Sequence, residues 1–168
     1  MSASIGEPPG SPLVRPIAPR DDAALAAIIR ATMTEFGATG PGQSIHDAEV
    51  DHLSESYRSP RAAYWVVDRA GAVLGGGGIG PLAGEPDTCE LRKMYFLPAA
   101  RGLGLGREIA ERALRFARAA GYRRCYLETL ERMTRARALY EKLGFARTDA
   151  PRGKTGHFGC DAWYEMDL

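Results

Sequence analysis

The segment ARGLGLGREI, residues 99–108, constrains this chain more than any other. Gly102, Gly104 and Gly106 alternate with other residues between Arg101 and Arg107. Glycine accepts backbone angles and close approaches that a Cβ would forbid. The run follows a β-prone stretch, TCELRKMYFL, and opens a helical pattern from Gly104 to Ala120. There Leu105, Ile109, Ala113, Phe116 and Ala120 form an apolar stripe opposite Glu108, Glu111, Arg112, Arg115 and Arg118. Gly121 is placed to end it in a left-handed cap. A strand passing through a glycine turn into a helix leaves free N–H groups at the positive end of a helix dipole. That is an anion site, to which Arg101 and Arg107 add charge. A tight turn with close strand–helix packing is the other reading of the same residues.

Two nucleotide motifs fail on spacing. For G-x-G-x-x-G counted from Gly102, Arg107 stands where the last glycine belongs. A GKT occurs at Gly153–Thr155, but a P-loop needs glycine five positions earlier, where Thr148 stands.

The rest of the chain reads as one α/β domain over residues 13–168, after a Pro, Gly and Ser-rich flexible tail over residues 1–12. LVRPI is a short strand. RDDAALAAIIRATMTEF is a helix with Leu25, Ile28, Ile29, Thr32 and Phe36 on one face, and Asp21 is placed to cap it. DAEVDHLSESYRSP reads as a second, more polar helix stopped before Pro60. AAYWVVD and AVLGGGGIG form a hairpin, in which Gly75–Gly78 survive only where the strand is crowded or bends. PLAGEPD reads as a loop. Strand YRRCYLETL, helix RMTRARALYEKL capped by Gly144, a strand opened by Phe145, and strand DAWYEMDL complete the order.

Composition excludes several classes. With 168 residues and a net charge of +1, no general field draws the chain to nucleic acid or an anionic membrane. No apolar run reaches membrane-spanning length, and the N-terminus lacks the pattern of a signal peptide, so the chain reads as cytoplasmic. Cys89, Cys125 and Cys160 show no CxxC, and His46, His52 and His157 show no ligand spacing; no metal is expected.

Two motifs in order carry a family resemblance. ELRKMYFLPAARGLGLGREI contains R/Q-x-x-G-x-G/A through Arg101, Gly104 and Gly106, and ARALYEKLGF follows at residues 136–145. VRPIAPRDDA near the start is a common opening of the same family. The chain resembles the GNAT superfamily of acyl-CoA-dependent N-acyltransferases. The resemblance implies a mixed, mostly antiparallel sheet with splayed central strands, flanked by helices. It implies acetyl-CoA as co-substrate, with the pyrophosphate on the backbone of Gly102, Leu103, Gly104, Leu105, Gly106 and Arg107, beside Arg101. The pantetheine arm would pair with Met94, Tyr95 and Phe96 on a strand that splays after a bulge. The hydrophobic parity of LRKMYF does shift between Leu91 and Met94.

The same resemblance assigns roles to side chains. Tyr140 matches the family's tyrosine that protonates the departing sulfur, with core packing as its alternative. Glu90 stands where a base working through water is common. Glu128 is the rival base, or a group binding the acceptor's ammonium. The usual asparagine seven residues before the tyrosine is Met133 here, and the chain contains no asparagine. The activity expected is acetyl transfer to a primary amine by direct attack, with no nucleic acid or membrane partner; a homodimer remains open. The loop TDAPRGKTGHFG, residues 148–159, suggests an amino-acid-like metabolite as acceptor. In that reading Arg152 would grip the carboxylate and His157 would orient the molecule. A catalytically silent acyl-CoA sensor and transfer to a protein amine are the alternatives.

Overall fold

The structure, a computed structural model, describes residues 10–168; residues 1–9 of the expected tail lie outside them. The strands are β1 (Leu13–Pro16), β2 (Ala63–Arg69), β3 (Ala72–Leu82), β4 (Glu85–Phe96), β5 (Arg124–Thr129), β6 (Ala146–Thr148) and β7 (Ala162–Asp167). The helices are α1 (Asp22–Glu35), α2 (Leu53–Ser56), α3 (Leu105–Ala119) and α4 (Thr134–Leu143). One seven-stranded sheet runs β1-β2-β3-β4-β5-β7-β6, and each neighbouring pair is antiparallel except β4 with β5.

Each face of the sheet carries a core. On one, Ala113 and Tyr140 pack with Ile79, Leu91, Leu127 and Tyr164, and Leu105 and Ile109 pack with Val14 and Val67. On the other, Leu25 and Ile29 of α1 meet Leu53, Tyr64 and Val66. Both stripes are those that the 3.6-residue period of the sequence predicts.

The functional geometry begins in β4. The strand pairs with β5 only at Thr88, Cys89 and Glu90, against Arg124, Cys125 and Tyr126. Beyond Glu90 it stays with β3 alone, and its pairing steps from Gly78↔Arg92 to Gly76↔Tyr95. One residue of β3 therefore faces two of β4, which is a bulge at Lys93 and Met94. Lys93 takes a left-handed φ of 56°. The parity shift is real: Leu91 faces the α3 side, Tyr95 the α1 side and Met94 the α3 side again.

The crowding around the glycine run of β3 comes from the protein itself. A Cβ on Gly76 would lie 2.6 Å from the Tyr64 ring and 2.7 Å from the Trp65 carbonyl oxygen. On the opposite face a Cβ on Gly77 would sit 2.2 Å from Met94 Sδ.

Four details differ from the sequence reading. Asp21 makes no side-chain cap to α1. Its carboxylate instead accepts from Ala18 N at 2.8 Å and from both terminal nitrogens of Arg15 at 2.8 Å. The second helix is a 3₁₀ turn (Ala48–Asp51) followed by the single turn of α2, because His52 at φ −140° interrupts it and Asp22 of α1 binds Ser54. PLAGEPD is mostly strand, since β3 runs to Leu82 and β4 starts at Glu85, leaving Ala83–Gly84 as the turn. The strand after Gly144 opens at Ala146 rather than Phe145, whose ring is buried against Tyr140.

Gly76→Ala should destabilise the protein by about 1–3 kcal/mol through overpacking. The measurement is the urea midpoint, expected to fall at constant slope; an unchanged midpoint would mean that β2 and β3 have room to part.

Candidate active site

The glycine turn connects β4 to α3. Gly104 stands immediately before the helix at φ 76°, in the left-handed region that favours glycine. The Glu108 amide makes the first helical bond, to Gly104 O at 3.0 Å. The amides of Gly104, Leu105, Gly106 and Arg107 donate to no group among the described residues. Four free donors at the positive end of a four-turn helix form an anion site. The flanking arginines contribute less than their charge suggests. Arg101 donates from both terminal nitrogens to Glu35 at 2.7 Å and from Nε to Phe96 O at 2.9 Å. Arg107 is paired with Glu111 at 2.8 Å. Leu103 is exposed and Leu105 buried, while Gly106 faces Phe96 and Leu139.

A narrow cleft of about 60 Å³ follows the gap between β4 and β5, and no residue of the glycine turn lines it. Met94, Tyr95, Met133 and Tyr140 are among its walls. Tyr95 shares a 2.7 Å hydrogen bond with Ser44. Tyr140 is buried, edge-on to Phe145 and tilted to Tyr164, and its hydroxyl bonds no group among the described residues. Burial pushes its phenol above the ordinary range, so it stays protonated at neutral pH. Met133, in place of the asparagine, takes the Thr129 hydroxyl on its sulfur at 3.6 Å.

A second cavity, of about 170 Å³, opens on the other side of Glu90. Glu90, Arg92, Lys93 and His157 line both cavities between them, Arg92 and Glu90 alternating along one face of β4. Glu90 is 4 % exposed, and burial pushes its carboxyl up to about 7 against the opposing pull of Arg92. None of the side-chain hydrogen bonds among the described residues involves it.

The groups around Glu90 are paired. His157 lies between Asp47, 2.9 Å from Nε2, and Glu128, 3.4 Å from Nδ1. Hydrogen bonds to Asp47 and then Glu128 push His157 up to about 9. Lys93, nearly inaccessible, pairs with Asp47 and with Glu49 at 3.3 Å. Glu128 accepts from Tyr126 at 2.8 Å and from Thr155 at 2.9 and 3.0 Å, so its lone pairs are committed to holding the loop.

Of the expected site residues, the structure brings Glu90, Glu128, His157, Met94, Tyr95 and Tyr140 to the two cavities. It leaves Phe96 and the turn residues 101–107 outside the lining of both, and it does not bring Arg152 there. That guanidinium binds Glu165 at 2.9 Å and Glu85 at 3.2 Å, and the residue lines neither cavity. The sequence reading omits Asp47, Arg92 and Lys93. Alternation along LRK signals one buried face, but nothing local marks Asp47, which lies 110 positions from His157.

Comparison with known proteins converges on one family. The model of the Acetyltransferase (GNAT) family matches residues 25–145. An uncharacterized N-acetyltransferase of Escherichia coli, YjgM, is 48% identical over 155 residues, covering 91% of this chain and 93% of its own. A GNAT-family acetyltransferase structure from Staphylococcus aureus superposes with a TM-score of 0.82 at 16% identity, over 94% of this chain and 99% of its own. The structure of yncA from Salmonella typhimurium, solved with acetyl-CoA, has a TM-score of 0.73 at 21% identity, over 94% of each chain.

The His157 contacts give a pH dependence with a definite sign. The folded-state value of about 9 exceeds the ordinary imidazole value of 6.5. The stabilisation is therefore complete below about pH 6.5 and is lost as pH rises through 9. It should amount to about 1–3 kcal/mol. Denaturation of wild type from pH 6 to 10 should show this loss, and His157→Gln should flatten it; equal slopes would remove His157 from the account.

Proposed function

Because the chain belongs to the acetyltransferase (GNAT) family, we propose that it moves an acetyl group from acetyl-CoA to the primary amine of a small, amino-acid-like metabolite. The observation that carries this reading is the meeting of the two cavities at Glu90. One cavity lies along the part of β4 that has left β5 and is lined by Tyr140, and the other is lined by Lys154 and Thr155 of the loop before β7. A fold neighbour holding acetyl-CoA is consistent with the donor assigned to the first. The volume of the second suits a small acceptor.

The residues present fit the donor. The amides from Gly102 to Arg107 receive the pyrophosphate, with the α3 dipole behind them. Beyond Glu90 the edge of β4 that faces β5 is unpaired, so Met94, Tyr95 and Phe96 offer backbone groups to the pantetheine arm. When bound, acetyl-CoA supplies the activated thioester. Amides along the same edge stabilise the charge that develops on its carbonyl oxygen. Glu90 takes the amine proton through a water as the C–N bond forms. Tyr140 donates its proton to the sulfur as the C–S bond breaks. Glu128 and His157 hold the acceptor loop over this centre.

The decisive experiment is a screen of amines with acetyl-CoA, reading free thiol. Absence of amine-dependent thiol release across the screen, in protein that binds acetyl-CoA by calorimetry, would overturn the transferase reading.

Tyr140→Phe retains the packing and removes the donor. Its kcat should fall by about 10²–10⁴, with acetyl-CoA affinity and melting temperature unchanged; a loss below threefold would leave Tyr140 a packing residue. The Glu90 value sets the acid limb of the pH profile. kcat/KM should rise as pH passes through about 7, where Glu90 loses its proton. Glu90→Gln should lower the rate and abolish that inflection, and an inflection that survives in the variant would assign the base elsewhere.

A further inference from the structure

With Arg152 held by Glu85 and Glu165, the acceptor cavity needs another cation if it is to read a carboxylate. Most cations around it are matched already. Lys93 has Asp47 and Glu49, and His157 has Asp47 and Glu128. Two are not: the exposed Lys154 and the more buried Arg92. Its Nε donates to Tyr57 OH at 3.1 Å, and the guanidinium carbon stands 5.3 Å from the centre of the Tyr57 ring. Its two terminal nitrogens make no hydrogen bond and lie within 4 Å of no carboxylate among the described residues. The tyrosine fixes the plane of the fork, Nη2 lies over Gly80 of β3 where a Cβ would clash with it, and Arg92 lines the acceptor cavity together with Glu90.

A planar guanidinium with both terminal nitrogens free is shaped to receive a carboxylate through two parallel hydrogen bonds. Partly withdrawn from water, it also gains more from an anionic partner than an exposed lysine would. Lys154 stands farther out, exposed, with its stem against Gly84.

We infer that Arg92 is the carboxylate receptor of the acceptor cavity, and that the acceptor is an α-amino acid whose amine is turned toward Glu90. The inference rests on the acetyltransferase reading and adds the class of acceptor and the residue that selects it. Glu90 and Arg92 are two residues apart on β4, which places their Cα atoms about 6.5–7 Å apart on one face. An amine and a carboxylate joined through one carbon span the space between the two side chains, with a water completing the contact to Glu90. The acceptor's own side chain then points to the mouth, toward Asp47, Glu49 and Lys154.

The test compares free L-amino acids with their primary amides, which keep shape and amine but lose the negative charge. Rates are read as free thiol with saturating acetyl-CoA and corrected for the fraction of neutral amine. For the best amino acid, wild type should show a kcat/KM at least tenfold above that of the amide. In Arg92→Gln this ratio should fall at least tenfold, and Arg92→Lys should recover part of it. Both rates in a ratio come from one preparation, so partial unfolding of a variant cancels. Equal use of acid and amide by wild type, or an acid-to-amide ratio unchanged in Arg92→Gln, would overturn the inference. So would failure to acetylate any amino acid while other amines react. Acetyl-CoA affinity, measured separately by calorimetry, tells that outcome apart from failure of the donor site.

Discussion

The parting of β4 from β5 after Glu90 is the constraint on which the site depends. A central strand that abandons one neighbour exposes backbone groups that a sheet would normally satisfy. The local backbone is also strained, because Lys93 is not glycine and yet sits at φ 56°. Such a residue persists only where its surroundings over-determine it. Here the Lys93 carbonyl accepts from Tyr64 OH at 2.8 Å, and its ammonium is held by Asp47 and Glu49. The glycines of β3 let Tyr64 and Met94 press on the strand from opposite faces. Bulge, glycine run and buried ion pair are therefore one device, which keeps β4 parted from β5.

Charge in this protein is mostly internal business. Arg101, Arg107 and Arg152 flank the openings in sequence, yet each is committed to a carboxylate of its own chain. This leaves the donor turn with neutral amides as its chief means of holding an anion. It leaves the second cavity with three uncommitted groups, the Glu90 carboxyl, the terminal nitrogens of Arg92 and the exposed Lys154. Selectivity follows from which charges are left over, since a matched pair offers an incoming ligand little.

What the sequence discloses depends on range. The strand–turn–helix unit is local, and 3.6-residue periods place α3 and α4 within a residue or two, while alternation finds the end of β4 but misses its first three residues. The bulge is visible as a parity shift in LRKMYF, and both motif segments fall beside one cleft. Pairings across the fold leave no such trace. Arg152 looks like a free cation because Glu85 and Glu165 lie in other segments. Asp47 looks like part of a polar helix because its partners, Lys93 and His157, are 46 and 110 positions away. Arg92 passes for the polar half of an alternating strand, and only the cavity shows that its fork is unmatched.

The pairing of cations also explains how Glu90 can be basic. A carboxylate near Arg92, His157 and Lys93 would ordinarily be held far below neutrality, too weak to take a proton from an amine. Burial opposes this and prevails, setting Glu90 at about 7. It can prevail because Asp47, Glu49 and Glu128 already answer Lys93 and His157, which reduces their field at Glu90. Arg92 is the strongest lowering influence that is left. A carboxylate docking on its free edge would cancel much of that field and raise the basicity of Glu90 further. In the proposed reaction an acceptor that fits Arg92 would thus strengthen the base that activates its own amine, which would couple recognition and catalysis through one charge on β4.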